Sequence, residues 1–155
     1  MAQDLATDPY VPLIGSLPAH ATETQARDWI QRNLGRWAEG TGFSFAFAEV
    51  ANGYAVGSAG LWVTELRHGR ATAGYSVAPR HRGHGYAADA LNALTTFAWT
   101  LPAVHRVELY IEPGNIPSIR TAERAGYAYE GRLRSHQEIG GRRRSMLLHA
   151  AIRTT

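Results

Sequence analysis

With 155 residues, 45% of them hydrophobic, the chain has the size of one ordinary domain that can bury a core without disulfides or metals. It contains no cysteine, which excludes disulfides, thiolate metal ligands and any mechanism that carries a group on an enzyme thiol. Its formal charge of +3 rests on sixteen arginines and no lysine, a bias that genome composition explains as well as phosphate recognition does.

The segment from Met1 to Pro9 is polar and carries Asp4 and Asp8, so it predicts neither a signal peptide nor a membrane span, and the expected location is the cytoplasm. Pro9, Pro12, Gly15 and Pro18 predict that residues 1–21 form a loop that packs a few apolar side chains. Thr22 and Gln25 form a capping box ahead of Ala26, Trp29, Ile30, Leu34 and Trp37, which recur at helical spacing until Gly40. From Phe43 the period falls to two. Phe43, Phe45 and Phe47 share a face, Asn52-Gly53 marks a hairpin, and strands from Tyr54 to Thr64 and from Ala71 to Ala78 complete an antiparallel meander. Gly85 to Leu101 reads as a helix with Ala88, Leu91, Phe97 and Ala98 on its buried stripe. A strand from Arg106 to Glu112, a short helix from Asn115 to Ala125, and strands from Tyr127 to Arg134 and Ser145 to Ile152 follow. The last two are joined by a loop around Gly140-Gly141. The expected organisation is one mixed α/β domain over residues 1–155.

The chemistry concentrates in Val77-Ala78-Pro79-Arg80-His81-Arg82-Gly83-His84-Gly85-Tyr86-Ala87, which runs from strand through a glycine-containing loop into a helix. Such a junction points unpaired N–H groups and the positive end of the helix dipole at one spot, where an anion belongs. Gly83 and Gly85 remove side chains that would hold a diphosphate away, while Arg80 and Arg82 add charge at the rim. A Walker loop would need Lys and then Ser or Thr where Tyr86 and Ala87 stand. A dinucleotide fold would need the loop after the first strand of a parallel sheet, whereas here an antiparallel meander precedes it.

Arg80, Gly83 and Gly85 match the cofactor motif of the GNAT N-acetyltransferase family. A second segment, Glu112-Pro113-Gly114-Asn115-Ile116-Pro117-Ser118 followed by Glu123-Arg124-Ala125-Gly126-Tyr127 and Gly131, resembles the RimJ/RimL-like branch of that family. The resemblance runs over residues 22–152. It implies a central, mostly antiparallel mixed sheet with helices on both faces, in which Thr72 to Ala78 and Arg106 to Glu112 form a parallel pair that splays apart. It also implies acetyl-CoA as co-substrate, with its diphosphate on the backbone amides of Arg82, Gly83, His84, Gly85, Tyr86 and Ala87. The N–H of a residue near Val77 would face the thioester carbonyl, Asn115 the pantetheine arm, and Ser118 the departing thiolate. Ser118 reads equally as a helix-start cap.

The family's first strand and helix have no counterpart ahead of Trp29, so the expectation is either that the protein starts further upstream or that the sheet has an unpaired edge, which a partner strand or a second copy in a homodimer would cover. Ala122 stands where many relatives carry a tyrosine, and Pro79 and Ser145 where acids are common. Glu65 and Glu112 are left as the candidate bases, each of which also reads as a solvated strand-end carboxylate, and a water relay or an already neutral amine would make a dedicated base unnecessary. The histidines lack paired ligand spacing, so no metal is expected, and Arg142-Arg143-Arg144 reads as a solvated turn or a greeting for an acidic acceptor. The expected activity is acetyl transfer to a primary amine, on a small molecule or a protein amino terminus, without nucleic acid or membrane. An acyl-CoA-binding module without useful catalysis is the alternative.

Overall fold

In the computed structural model, which describes residues 1–154, the sheet has six strands in the order β1-β2-β3-β4-β6-β5. These are β1 (Gly42–Ala48), β2 (Ala55–Trp62), β3 (Arg70–Val77), β4 (Arg106–Ile111), β5 (Ala128–Ile139) and β6 (Arg142–Ile152). Every neighbouring pair is antiparallel except β3 and β4. That parallel pair is joined only at Arg70–Arg106, Ala71–Val107 and Thr72–Glu108. Beyond Thr72 the two strands part, and the expected splay is present.

Helices cover both faces. On one, α4 (Tyr86–Trp99) and α5 (Ile116–Arg124) bury Leu91, Leu94, Ala98 and Ala122 against Ala59, Leu61, Ala73, Val107 and Leu109. Phe43 and Phe45 point the same way and meet the edge of Phe97 at 4.9 and 5.0 Å. The intervening Ser44 therefore faces the other side, where it bonds to Arg36 and Asn33 of the region around α3 (Glu23–Gly35).

The capping box of α3 is present, with the Thr22 hydroxyl accepting from the Gln25 N–H and the Gln25 side chain accepting from the Thr22 N–H. The apolar stripe behind it is less buried than its spacing implies: Ile30, Leu34 and Trp37 are 40%, 62% and 72% exposed. This helix packs mainly on the edge strand β1 and on α1, and among the described residues no further layer covers its outer flank.

Two expectations need correction. Residues 1–21 contain the short helices α1 (Ala2–Leu5) and α2 (Val11–Ile14), and they bury Leu5, Ala6, Leu17 and Ala21 against Ala78. Helices of four residues show no period, and tertiary packing rather than propensity holds them. The region 135–144 is a continuing hairpin that turns tightly at Gly140-Gly141, not a loop. Register shifts between Tyr129 and Gly131 and between Leu133 and Gln137, with Ser135 at φ +50°, break the alternation that would have marked the longer strands. No helix among the described residues is long and apolar enough to cross a membrane.

Candidate active site

A cavity of about 1580 Å³ opens where β3 and β4 part, and it is lined from both sides of the sheet. Its floor is set by hydrogen-bond alternation. The Ala78 N–H donates to the Val56 carbonyl at 2.8 Å, and the register pairs Gly57 with Val77. In an antiparallel ladder bonded and non-bonded pairs alternate, so the N–H groups of Tyr75 and Val77 turn away from β2 towards the gap.

The chain then makes a short 3₁₀ turn, Pro79–His81, and passes through Gly83 at φ +81° and Gly85 at φ +84° into α4. Both glycines are left-handed, the conformation that side chains resist. Gly85 is the N-cap and supplies no side chain to the first turn. The amides of Gly83, His84, Gly85, Tyr86 and Ala87 accordingly donate to no described backbone carbonyl. A Cβ added at either glycine would meet no protein atom within 4 Å, so a ligand can approach this backbone closely. Consecutive free amides at the positive end of a helix form an anion cradle.

Side chains around the cradle hold it in place. The Tyr86 hydroxyl donates to Glu49 Oε1 at 2.8 Å, and that bond together with one from Asn52 keeps the Glu49 carboxyl below its ordinary range. His84 stacks on Tyr86 with ring centroids 5.5 Å apart. Arg82 lines the cavity and is also tied into the loop. Its guanidinium lies 2.7 Å from Asp8 Oδ2 and its Nε donates to the Val77 carbonyl at 3.1 Å, while its own N–H is taken by Pro79. Arg82 therefore braces the loop, and the free amides begin at Gly83. Burial works to raise the Asp8 carboxyl, but the N–H donors of Val11 and Tyr10 and the Arg82 guanidinium outweigh it and hold it low. Arg80 is 83% exposed on its side chain and 3.7 Å from Asp4.

Across the gap, Asn115 caps α5, its Oδ1 accepting from the Ser118 N–H at 3.3 Å. The cap is Asn115, so Ser118 is not required for it, and the Asn115 side-chain NH₂ is left as a donor. Tyr75 reaches over from β3, its hydroxyl donating to the Ser118 carbonyl at 3.5 Å. Burial pushes the Tyr75 phenol up, against smaller opposing effects from Ser118 and Thr121. Val77, Ser118 and the cradle glycines thus line one cavity.

Glu65 is elsewhere. It sits before the amino end of β3, in an ion pair with Arg70 at 3.1 Å, and does not line the cavity. At ~3.3 Å per residue, β3 separates it from Val77 by roughly 20 Å. The carboxylates that do line the cavity are Asp8 and Glu112. Glu112, just past β4, lies 3.4 Å from Arg144, and burial together with the Glu112 carboxylate drives the Tyr10 phenol up. Asp8, Tyr10 and Tyr75 carry no local pattern that marks them. They reach the site only through tertiary packing.

The family model described as an acetyltransferase (GNAT) domain matches residues 1–128, and the chain belongs to the GNAT acetyltransferase family. Acetyl-CoA is its co-substrate and an amine its acceptor. The protein p20 of Bacillus licheniformis, an uncharacterized N-acetyltransferase, is 29% identical over 136 residues, which is 88% of this chain and 76% of p20. RimJ of Mycobacterium smegmatis, solved with CoA-disulfide, is 28% identical with a TM-score of 0.76, over 86% of this chain and 63% of that one. A putative ribosomal-protein-serine acetyltransferase from Vibrio cholerae shares the fold with a TM-score of 0.75 at 23% identity, covering 85% of this chain and 76% of its own.

Proposed function

We propose that the chain acts as one domain that transfers acetyl from acetyl-CoA to a primary amine, with a peptide α-amine as acceptor, by direct attack in a ternary complex. The observation that carries this is the run of free amides from Gly83 to Ala87 beside the opened β3–β4 gap. In this reading the amides hold the diphosphate, and the Asn115 NH₂ donates to an amide carbonyl of the pantetheine arm. The Val77 N–H stabilises the oxyanion that develops on the thioester carbonyl. As the amine nitrogen bonds to the carbonyl carbon, the carbon–sulfur bond breaks, and the Ser118 hydroxyl gives its hydrogen bond or proton to the departing thiolate. Glu112 takes the proton lost by the amine, directly or through water, since its contact with Arg144 at 3.4 Å is looser than the 2.7 Å ion pair and two backbone N–H donors that hold Asp8. The Vibrio cholerae neighbour, a ribosomal-protein-serine acetyltransferase by description, supports a protein as acceptor.

Initial rates measured against acetyl-CoA and a short peptide should give intersecting double-reciprocal lines, with one CoA released per peptide acetylated. Parallel lines would mean an acetyl-enzyme. CoA release without any acetylated amine would mean that transfer is not what the site does.

A further inference from the structure

Seven arginines line the cavity against two carboxylates, and both carboxylates are engaged by arginine, Asp8 by Arg82 and Glu112 by Arg144. Arg36 stands apart from these pairs. It follows α3 and turns its guanidinium over the Trp62 ring at 4.9 Å, donating to Ser44 Oγ at 3.1 Å. Among the described residues it forms no ion pair. Burial lowers the Arg36 pKa, with only partial compensation from the more distant Glu39. A partly desolvated guanidinium without a counter-ion, in a cavity, is a place for an anion.

The platform beneath it is built by the backbone. Gly60 and Gly74 pair across β2 and β3, and a Cβ on either would stand 2.9 Å from the Trp62 ring. Their bareness lets the indole lie flat on the sheet and carry Arg36 on its far side, fixed by a cation–π contact. This is the face of Ser44 and α3, opposite the α4 and α5 face.

Resting on the transferase reading above, we infer that Arg36, seated on Trp62, binds an acidic group of the acceptor, and that the preferred acceptor is a peptide with a carboxylate two or three residues from its α-amine. The spacing follows from the strand. The indole touches β3 at Gly74, and Val77 lies three residues on, on the order of 10 Å at ~3.3 Å per residue. An extended peptide covers that distance in about three residues. A free α-amino acid, with amine and carboxylate on one carbon, is too short to reach both. Polyamines meet arginines where they would need carboxylates.

The test is a panel of peptides that share an amino-terminal residue and carry Glu, Gln or Lys at the third position, with an amidated carboxyl end, alongside a tripeptide with a free carboxyl end and spermidine. The wild-type protein should show kcat/KM for the Glu peptide at least tenfold above that for the Gln peptide, and lower still for Lys. The free tripeptide separates a terminal carboxylate from a side-chain one as the group bound. Arg36→Gln should bring the Glu-to-Gln ratio towards one through acceptor KM, Arg36→Lys should keep part of it, and a normal acetyl-CoA Kd certifies that both variants are folded. Equal rates on Glu and Gln peptides in the wild-type protein, a preference that survives Arg36→Gln, or spermidine as the best acceptor would each overturn the subsite while leaving amine acetylation standing. No acetylation of any amine would overturn both.

Discussion

Replacing Gly83 or Gly85 by valine separates what the cofactor loop contributes to folding from what it contributes to binding. Both positions have φ near +80°, where a side chain costs on the order of 1–2 kcal/mol, and neither adds a clash because a new Cβ meets nothing within 4 Å. For a domain of this size that strain lowers Tm by about 2–8 °C. Gly53, in the β1–β2 turn, supplies the control, with φ +72°, equally open surroundings and no part in the cavity wall. All three valine variants should lose similar stability in thermal unfolding. In calorimetric titrations with acetyl-CoA, only Gly83→Val and Gly85→Val should lose at least ~1.4 kcal/mol of binding, a tenfold rise in Kd. The loss reflects a side chain standing between the free amides and the diphosphate. Normal binding by folded Gly83→Val and Gly85→Val would show that the two glycines only start a helix, and the argument from free amides would fail.

Ser118→Ala should leave the acetyl-CoA Kd near wild type and lower kcat by about tenfold or more, because Asn115 rather than Ser118 caps α5; a weakened Kd with unchanged kcat would refute the assigned role. Glu65→Gln should leave kcat/KM within about twofold of wild type, since β3 separates it from the cavity, and a tenfold loss in steady-state rate would contradict that placement. Asp8→Asn keeps an acceptor for the Tyr10 and Val11 amides but removes the charge facing Arg82, and should cost about 1–2 kcal/mol in denaturant unfolding at pH 7. Because contacts depress the folded Asp8 pKa, the wild-type advantage is complete above the ordinary value of 3.8 and disappears as pH falls through the lower folded value. An advantage that persisted unchanged well below that value would rule out the carboxylate as its source.

Features whose partners are close in sequence were legible. Thr22 and Gln25 cap each other within one turn, Asn52-Gly53 closes the first hairpin, and Gly83 and Gly85 declare the strand–loop–helix junction by conformation alone. The splay of β3 from β4 needed the family resemblance, because no periodicity records where two distant strands stop pairing. The two short amino-terminal helices and the brace between Asp8 and Arg82 were hidden for the same reason, since their stability comes from contacts with distant segments. Glu65 looked like a base because it ends a strand, and only the direction of β3 shows that it ends the wrong side of the sheet. Arg36 drew no notice in the sequence, where it is one arginine among sixteen; its seat on Trp62 depends on two glycines from different strands.

Backbone amide NMR of the wild-type protein, titrated in turn with CoA and with acetyl-CoA, tests the central claim most directly. Hydrogen bonding to the diphosphate should move the amides of Gly83, His84, Gly85, Tyr86 and Ala87 downfield with either ligand, and the Val77 amide should respond further when the acetyl thioester is present. Saturable binding of acetyl-CoA that leaves those amides unshifted, with the changes confined to another face of the sheet, would contradict the account.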